Sequence, residues 1–188
     1  MIIKRLFDVI FAILVGMAAF VPVCLISLLV KISSPGPAIH WSRRIGRDLR
    51  VFSMPKFRTM RVGTPVVATD LLEAPEEWVT PLGAFLRQYS LDELPQIWSI
   101  AKGDMSFVGP RPALFNQFEL SRLREKYGVN SLRPGLTGWA QVNGRDELSI
   151  ARKVELDVEY MSRASFCFDV KIILLTLCRA FTKSGISH

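Results

Sequence analysis

The run from Val9 to Val30 carries no charged side chain, with Lys4 and Arg5 before it and Lys31 after it. A helix of that length and polarity is long enough to span a bilayer. The rest of the chain must fold wherever this segment is allowed to lie. A cleaved secretory leader is one alternative. Against it, the run is long, no small-x-small cleavage site follows, and Lys31-Ile32-Ser33-Ser34-Pro35-Gly36-Pro37 reads as a stop. Simple spanning conflicts with the flanking charges. Lys4 and Arg5 hold the N-terminus on the cytoplasmic side, and Arg43, Arg44, Arg47 and Arg50 ask the same of the other end. Pro22 lies inside the run, where it removes a backbone hydrogen bond and bends a helix. A helix that enters, bends at Pro22 and leaves on the same face meets both charge signals. A kinked transmembrane helix with a basic outer domain is the competing form. The charges favour the re-entrant one.

The 188 residues are enough for one domain with an appended element. A hydrophobic share of 49% with a net charge of +7 suggests an anionic membrane surface, anionic substrates, or both. Without a basic helix carrying interleaved aromatics, and without zinc spacing, nucleic acid is not a partner. Cys24, Cys167 and Cys178 are odd in number and form no metal-like cluster, as expected of reduced thiols.

Short apolar runs around Ile39-His40-Trp41 and Leu49-Arg50-Val51-Phe52 flank Gly46-Arg47-Asp48 and predict a small hairpin. In Lys56-Phe57-Arg58 the two basic side chains alternate with Phe57 and share one face of an extended segment. Their plain reading is a solvated edge strand. Residues 63–79 read as a loop, with Pro65, Pro75 and the acids Asp70, Glu73, Glu76 and Glu77. Thr80-Pro81 opens a helix from Leu82 to Tyr89. Ser90 breaks it and offers a capping oxygen at capping-box spacing from Glu93. Pro95 fits better if Asp92 is the cap, so that boundary stays open. The following helix ends at Lys102-Gly103. Helices are also expected over Ala113–Tyr127, over Asp146–Arg163 with Asp146 as cap, and over Phe166–Thr182. Asp169, Lys171 and Arg179 make the last too charged to span, so it lies in the membrane interface or in the core. The fold expected is α/β and mostly helical. Residues 1–34 form a re-entrant membrane helix broken at Pro22. Residues 35–188 form a small membrane-associated cytosolic catalytic domain with a short β-hairpin and amphipathic interfacial helices.

The candidate chemistry centres on Asp92 and Glu93. Adjacent carboxylates at a helix start are most often capping acids. Here Arg87 stands about one turn before them, and Arg111 sits in the rigid turn Gly109-Pro110-Arg111-Pro112. Lys56, Arg58, Arg133 and Arg145 add to the basic set. Two acids among fixed arginines suit phosphoryl transfer from a diphosphate donor, because arginine binds phosphate oxygens bidentately. A carboxylate with Mg²⁺ neutralises the pyrophosphate, and a second carboxylate can attack phosphorus and carry it covalently. Adjacent helical residues point roughly 100° apart, so the acids hold separate roles. No Walker-type glycine-rich loop is present. His40 and His188 are too isolated for a triad or a zinc site.

Four motifs then occur in order. They are Lys56-Phe57-Arg58-Thr59-Met60, Leu91-Asp92-Glu93-Leu94-Pro95-Gln96, Gly103-Asp104-Met105-Ser106-Phe107-Val108-Gly109-Pro110-Arg111-Pro112, and the stretch from Arg133-Pro134-Gly135-Leu136-Thr137-Gly138-Trp139 to Asn143-Gly144-Arg145. With them the chain resembles the bacterial sugar transferases, the monotopic polyprenyl-phosphate phosphoglycosyl transferases, from the apolar segment to about Gly185. The resemblance implies transfer of a sugar-1-phosphate from a UDP-sugar to undecaprenyl phosphate, with UMP released by a ping-pong path. It implies Asp92 as nucleophile, Glu93 as the Mg²⁺ ligand and Arg111 as a phosphate binder. It places the protein on the cytoplasmic face of a bacterial inner membrane, in contact with membrane lipids and compatible with a homodimer, at the start of glycoconjugate synthesis. It also implies the minimal catalytic unit, without the multi-span domain of larger members. Val21 stands before Pro22 where many members have serine, which removes a side chain able to satisfy freed backbone groups. Two rival readings remain. One is a phosphatase or nucleotide-sugar hydrolase with water as acceptor; the other is a scaffold of an assembly complex, which would have no use for the acids or Arg111.

Overall fold

The computed structural model describes residues 2–65, 67, 74–144 and 147–182. Helix α1 runs unbroken from Ile2 to Ser33, with Pro22 inside it. A straight helix of that length measures about 48 Å. The rest of the protein lies along it. Near its start, the Arg5 guanidinium donates to the carbonyls of Ile100 and Ala101 at 2.7 and 2.9 Å. Lys4 pairs with Asp169, and Asp8 accepts the Phe107 N–H. In its middle Ala12 and Ala19 are buried, and Gly16 faces Ile97. Near its end Val30 packs with Phe57 and Leu86. The opposite face, including Ile13, Met17, Phe20, Val21, Leu25 and Leu28, is exposed.

The expected hairpin forms, with longer strands than the apolar runs suggest. Strand β1, Ile39–Ile45, pairs antiparallel with β2, Val51–Phe57, from Ile39↔Phe57 to Ile45↔Val51. Arg47–Leu49 make the turn. The segment expected to begin a helix at Ala113 instead lies along the other edge of β1. Ile45 N–H donates to the Ala113 carbonyl, Phe115 N–H to the Arg43 carbonyl, and Arg44 bridges Leu114. Free strand edges recruit backbone partners, and this one takes the loop that follows Arg111. Helix α5 therefore starts only at Phe118 and ends at Lys126.

Residues 63–79 are not wholly irregular, since Pro75–Trp78 form a short helix, α2. Asp70 and Glu73 lie outside the described residues. Helix α3, Pro81–Gln88, begins as expected: the Thr80 hydroxyl accepts the Gly83 N–H at 3.0 Å, and Pro81 fills the first turn. Ser90 does not cap through its side chain. Its backbone is left-handed, φ 55°, and this reverses the chain into a 3₁₀ turn, Leu91–Gln96. That turn runs on into α4, Ile97–Lys102, which stops at Gly103. Pro95 lies inside the 3₁₀ turn and just ahead of α4.

Strands β3, Ser106–Val108, and β4, Gly135–Thr137, pair in parallel through Ser106↔Gly135 and Val108↔Thr137. Helix α6, Ile150–Arg163, starts one turn later than expected, with Ser149 as its side-chain cap; Asp146 lies outside the described residues. Helix α7, Phe166–Thr182, buries Phe168 and Ile172 in the core and leaves Leu174 and Leu177 exposed. The result is mostly helical, with one two-stranded hairpin and one small parallel pair.

Gly83 shows how tightly α3 is seated. A Cβ there would stand 2.1 Å from the Thr59 carbonyl oxygen, which already accepts the Thr80 N–H. Gly83→Ala is expected to lower stability by about 1–3 kcal/mol through overpacking. Because it pushes α3 away from Thr59, it should also lower activity. Thermal unfolding in detergent checks the first effect, and an unchanged midpoint would show that α3 yields.

Candidate active site

Asp92 and Glu93 lie in the 3₁₀ turn, which packs against β2. Both are nearly out of water, at 7% and 8% exposure. Burying two carboxylates is costly unless cations and hydrogen bonds accompany them. The cations come from three separate elements. Lys56, on β2, brings its ammonium to 3.4 Å from Glu93 Oε1 and 3.8 Å from Asp92 Oδ2. Arg111, in the loop after β3, donates to Glu93 Oε1 at 3.1 Å. Arg87, in the last turn of α3, donates to the Thr59 hydroxyl at 2.9 Å, and its charge acts on Asp92.

A fourth cation is one the sequence did not single out for the site. Arg44 on β1 donates to the Ser42 hydroxyl and to the Pro112 carbonyl, and its charge is felt beside Arg111 and Glu93. His40 stands directly across the hairpin from Lys56. Cross-strand partners point to the same face. His40, Ser42 and Arg44 alternate along β1, so the period-two pattern would have found this face once the register was known.

The electrostatics follow from burial and neighbours. Burial raises the Asp92 carboxyl above its ordinary range; Lys56 opposes this, Glu93 adds to it, and Arg87 and Arg111 oppose it. Burial lowers the Lys56 ammonium, with Glu93 holding it up. Arg44 is brought down to about 10 by burial and by Arg111, so it remains a cation at neutral pH. Burial, Lys56 and Arg44 together lower the His40 imidazole, which keeps it neutral there. Four cations around two carboxylates leave positive charge for a polyanionic ligand.

Two of the predicted phosphate binders are placed elsewhere. The Arg58 guanidinium donates to the carbonyls of Val30, Ser34 and Pro35 and to the Ser34 hydroxyl. There it satisfies the end of α1, where carbonyls lack helical partners and the dipole favours a cation. Alternation past Phe57 failed because β2 ends at that residue. Arg133 donates to the Gly103 carbonyl at 3.1 Å and closes the end of α4 in the same way. Arg145 lies outside the described residues, as does His188.

No group of three or more metal-binding side chains occurs among the described residues. The hard carboxylate oxygens of Glu93 and Asp92 nevertheless fit Mg²⁺, which usually takes one or two carboxylates and completes its shell with substrate phosphates and water.

A family model described as bacterial sugar transferase matches residues 1–183. The chain belongs to the bacterial sugar transferase family. Membership makes it an enzyme, a transferase. It is 40% identical over 193 aligned residues to the UDP-glucose:undecaprenyl-phosphate glucose-1-phosphate transferase of Escherichia coli, covering 98% of this chain and 41% of that protein. It is 37% identical to the uncharacterized sugar transferase EpsL of Bacillus subtilis, over 100% of this chain and 92% of that one. It is also 38% identical to the exopolysaccharide production protein ExoY of Sinorhizobium fredii, over 93% and 83%. The chain thus spans less than half of the Escherichia coli relative and nearly all of the Bacillus one.

At this candidate site, Arg111 tests whether a forked donor is needed. Arg111→Lys keeps the charge and loses the planar fork. It should lower kcat/KM by about ten- to a hundredfold, the scale of one charged hydrogen bond. A value within twofold of the parent would remove Arg111 from substrate contact.

Proposed function

We propose that this enzyme transfers a sugar-1-phosphate from a UDP-sugar to undecaprenyl phosphate and releases UMP. In this reading it works at the cytoplasmic face of a bacterial inner membrane, at the start of polysaccharide synthesis. The observation that carries the proposal is the buried Asp92–Glu93 pair, set among Lys56, Arg87, Arg111 and Arg44. The names of relatives supply the donor and the acceptor.

The two acids divide the work. Glu93 is engaged by both Lys56 and Arg111, whereas the Lys56 ammonium lies 3.8 Å from Asp92 Oδ2. Asp92 attacks the phosphorus that carries the sugar. A bond forms from its carboxylate oxygen to that phosphorus, the bridging oxygen bond of the diphosphate breaks, and UMP leaves with the electron pair. A phosphate oxygen of the lipid then attacks the same phosphorus and releases the Asp92 carboxylate. Lys56, Arg111 and Arg44 hold phosphate oxygens through the transfer. Mg²⁺ held through Glu93 would neutralise diphosphate charge when bound.

The membrane reading rests on α1. Its first turns are bonded to Ile100, Ala101 and Asp169, and its end to Arg58, all within the same body. A spanning helix would separate those ends by about 30 Å of hydrocarbon. Both ends on one side, with the apolar outer face in the acyl region, meet the contacts and the basic flanks together. Trp98, beside Ile13, Met17 and Phe20, extends that exposed apolar surface. Cysteine labelling in intact cells checks it, after Cys24, Cys167 and Cys178 are replaced by serine because all three are exposed. Positions near Lys4 and near Arg43 should be equally protected, and opposite accessibility would sink the reading that both ends of α1 share one side.

Asp92→Asn tests the chemistry. Asparagine keeps the size of the side chain, so the fold should survive, but an amide is not a useful nucleophile toward phosphorus. Intact mass after exposure to donor alone should rise by one sugar-phosphate for the parent and not for the variant. A variant that still gains the mass would show that Asp92 is not the nucleophile. UMP release beyond one equivalent per enzyme in the absence of lipid would favour hydrolysis.

A further inference from the structure

The loop that carries Arg111 has no regular secondary structure, yet Arg111 must meet Glu93 at hydrogen-bond distance. Prolines at positions 110 and 112 have no N–H to anchor it. Its carbonyls do that work instead. The Pro110 carbonyl accepts the Gly135 N–H at 2.9 Å. The Arg111 carbonyl accepts Arg124 Nη1 at 2.8 Å, and the Pro112 carbonyl accepts Arg44 Nη1 at 3.2 Å.

Arg124 is the unusual member. It projects from α5 and is only 6% exposed, against Asp157 on α6, which is 1% exposed. Arg124 Nε donates to Asp157 Oδ2 at 2.9 Å, and Nη2 lies 2.7 Å from the same oxygen as an ion pair. With one edge of the guanidinium fixed in this way, Nη1 is aimed at the Arg111 carbonyl. Stability alone is a poor reason for such a pair. A buried ion pair is commonly no better than apolar residues of the same volume, and Leu120, Val154 and Ala113 already supply an apolar cluster beside it. What an ion pair adds is a directional, charged donor.

We infer that the Asp157–Arg124 pair is a positioning device for catalysis: it sets the backbone of Arg111 and so the reach of the Arg111 side chain to Glu93 and to substrate phosphate. The inference rests on the reading of Arg111 as a substrate-contacting residue. Asp157 and Arg124 are positioning residues, since neither is placed to touch the reacting atoms.

A double-mutant cycle on the full chain in lipid nanodiscs tests it. The readout is kcat/KM for the UDP-sugar that yields most UMP with the parent, with undecaprenyl phosphate as acceptor. Arg124→Gln should lower kcat/KM about tenfold when Arg111 is present and less than twofold in an Arg111→Ala background, because residues that act through one another are not additive. Asp157→Asn should follow the same pattern. A merely structural role would instead give the same factor in both backgrounds, and that result would overturn the inference. Arg124→Lys guards against unfolding. It keeps a cation opposite Asp157 and should hold the unfolding midpoint, yet lose rate because one ammonium lacks the fixed fork. Full activity in Arg124→Lys would also overturn the inference. If Arg111→Ala itself runs at the parent rate, the reading of Arg111 fails and this inference falls with it. If Arg111 matters and Arg124 acts independently, only the positioning role fails.

Discussion

Two adjacent carboxylates taken out of water constrain more of this structure than any other feature. Asp92 and Glu93 cannot stay buried and ionised unless positive charge is brought to them. No single element supplies it. Lys56 comes from the hairpin, Arg87 from α3 and Arg111 from the loop after β3. Each element must therefore be fixed relative to the 3₁₀ turn. The Thr80 cap and the close seat of Gly83 hold α3 against Thr59. Pairing with β1 holds both β2 and the segment after Arg111. The electrostatic demand of one turn is met by tertiary packing spread over much of the chain.

The same demand decides what was legible in the sequence. The hairpin, α3, the end of α4 and the last helix are set by signals within a few residues, such as Thr80-Pro81 and Lys102-Gly103. They could be read locally. Asp92, Glu93, Lys56, Arg87 and Arg111 were all found in the sequence and are brought together. Arg58 and Arg133 were read as phosphate binders because both are basic and stand in motif stretches. Their partners are main-chain carbonyls near residues 30–35 and at Gly103. A carbonyl has no side-chain identity, so nothing in the sequence announced it. Arg44 was missed for the converse reason. It looked like one of several basic residues flanking the apolar helix, and only the hairpin register turns it to the face shared with Lys56. Ser90 illustrates a third limit. Its side chain suits a cap, but chain reversal required a left-handed backbone there, and that choice took precedence.

Helix α1 is governed by a different balance. Its inner face is buried on the body while its outer face stays apolar and exposed, so packing alone does not complete its burial. Its polar ends are satisfied by the body itself, Arg5 on the Ile100 and Ala101 carbonyls and Arg58 on the Val30 carbonyl. A helix tied down in this way serves as a keel along the catalytic body. It leaves only the outer face apolar and exposed, the face that the proposed membrane reading turns toward hydrocarbon.

The environment of Asp92 fits a group that must both attack and leave. In the proposed path the carboxylate first forms a bond to phosphorus and later surrenders it to the lipid phosphate. Burial makes the anion more reactive by stripping water from it, and for the same reason it raises the Asp92 pKa. Taken alone, that would hold more of the carboxyl as the unreactive acid. Lys56, Arg87 and Arg111 oppose the shift and favour the anion. In that proposed path the same cations would stabilise the carboxylate as it departs. A more exposed aspartate would be ionised but sluggish, and one buried without cations would stay protonated. Holding Asp92 between those limits requires cations whose positions are fixed before any ligand arrives. That requirement explains why the basic residues are anchored through Thr59, Ser42 and the carbonyls around Arg111 rather than left on mobile side chains at the surface.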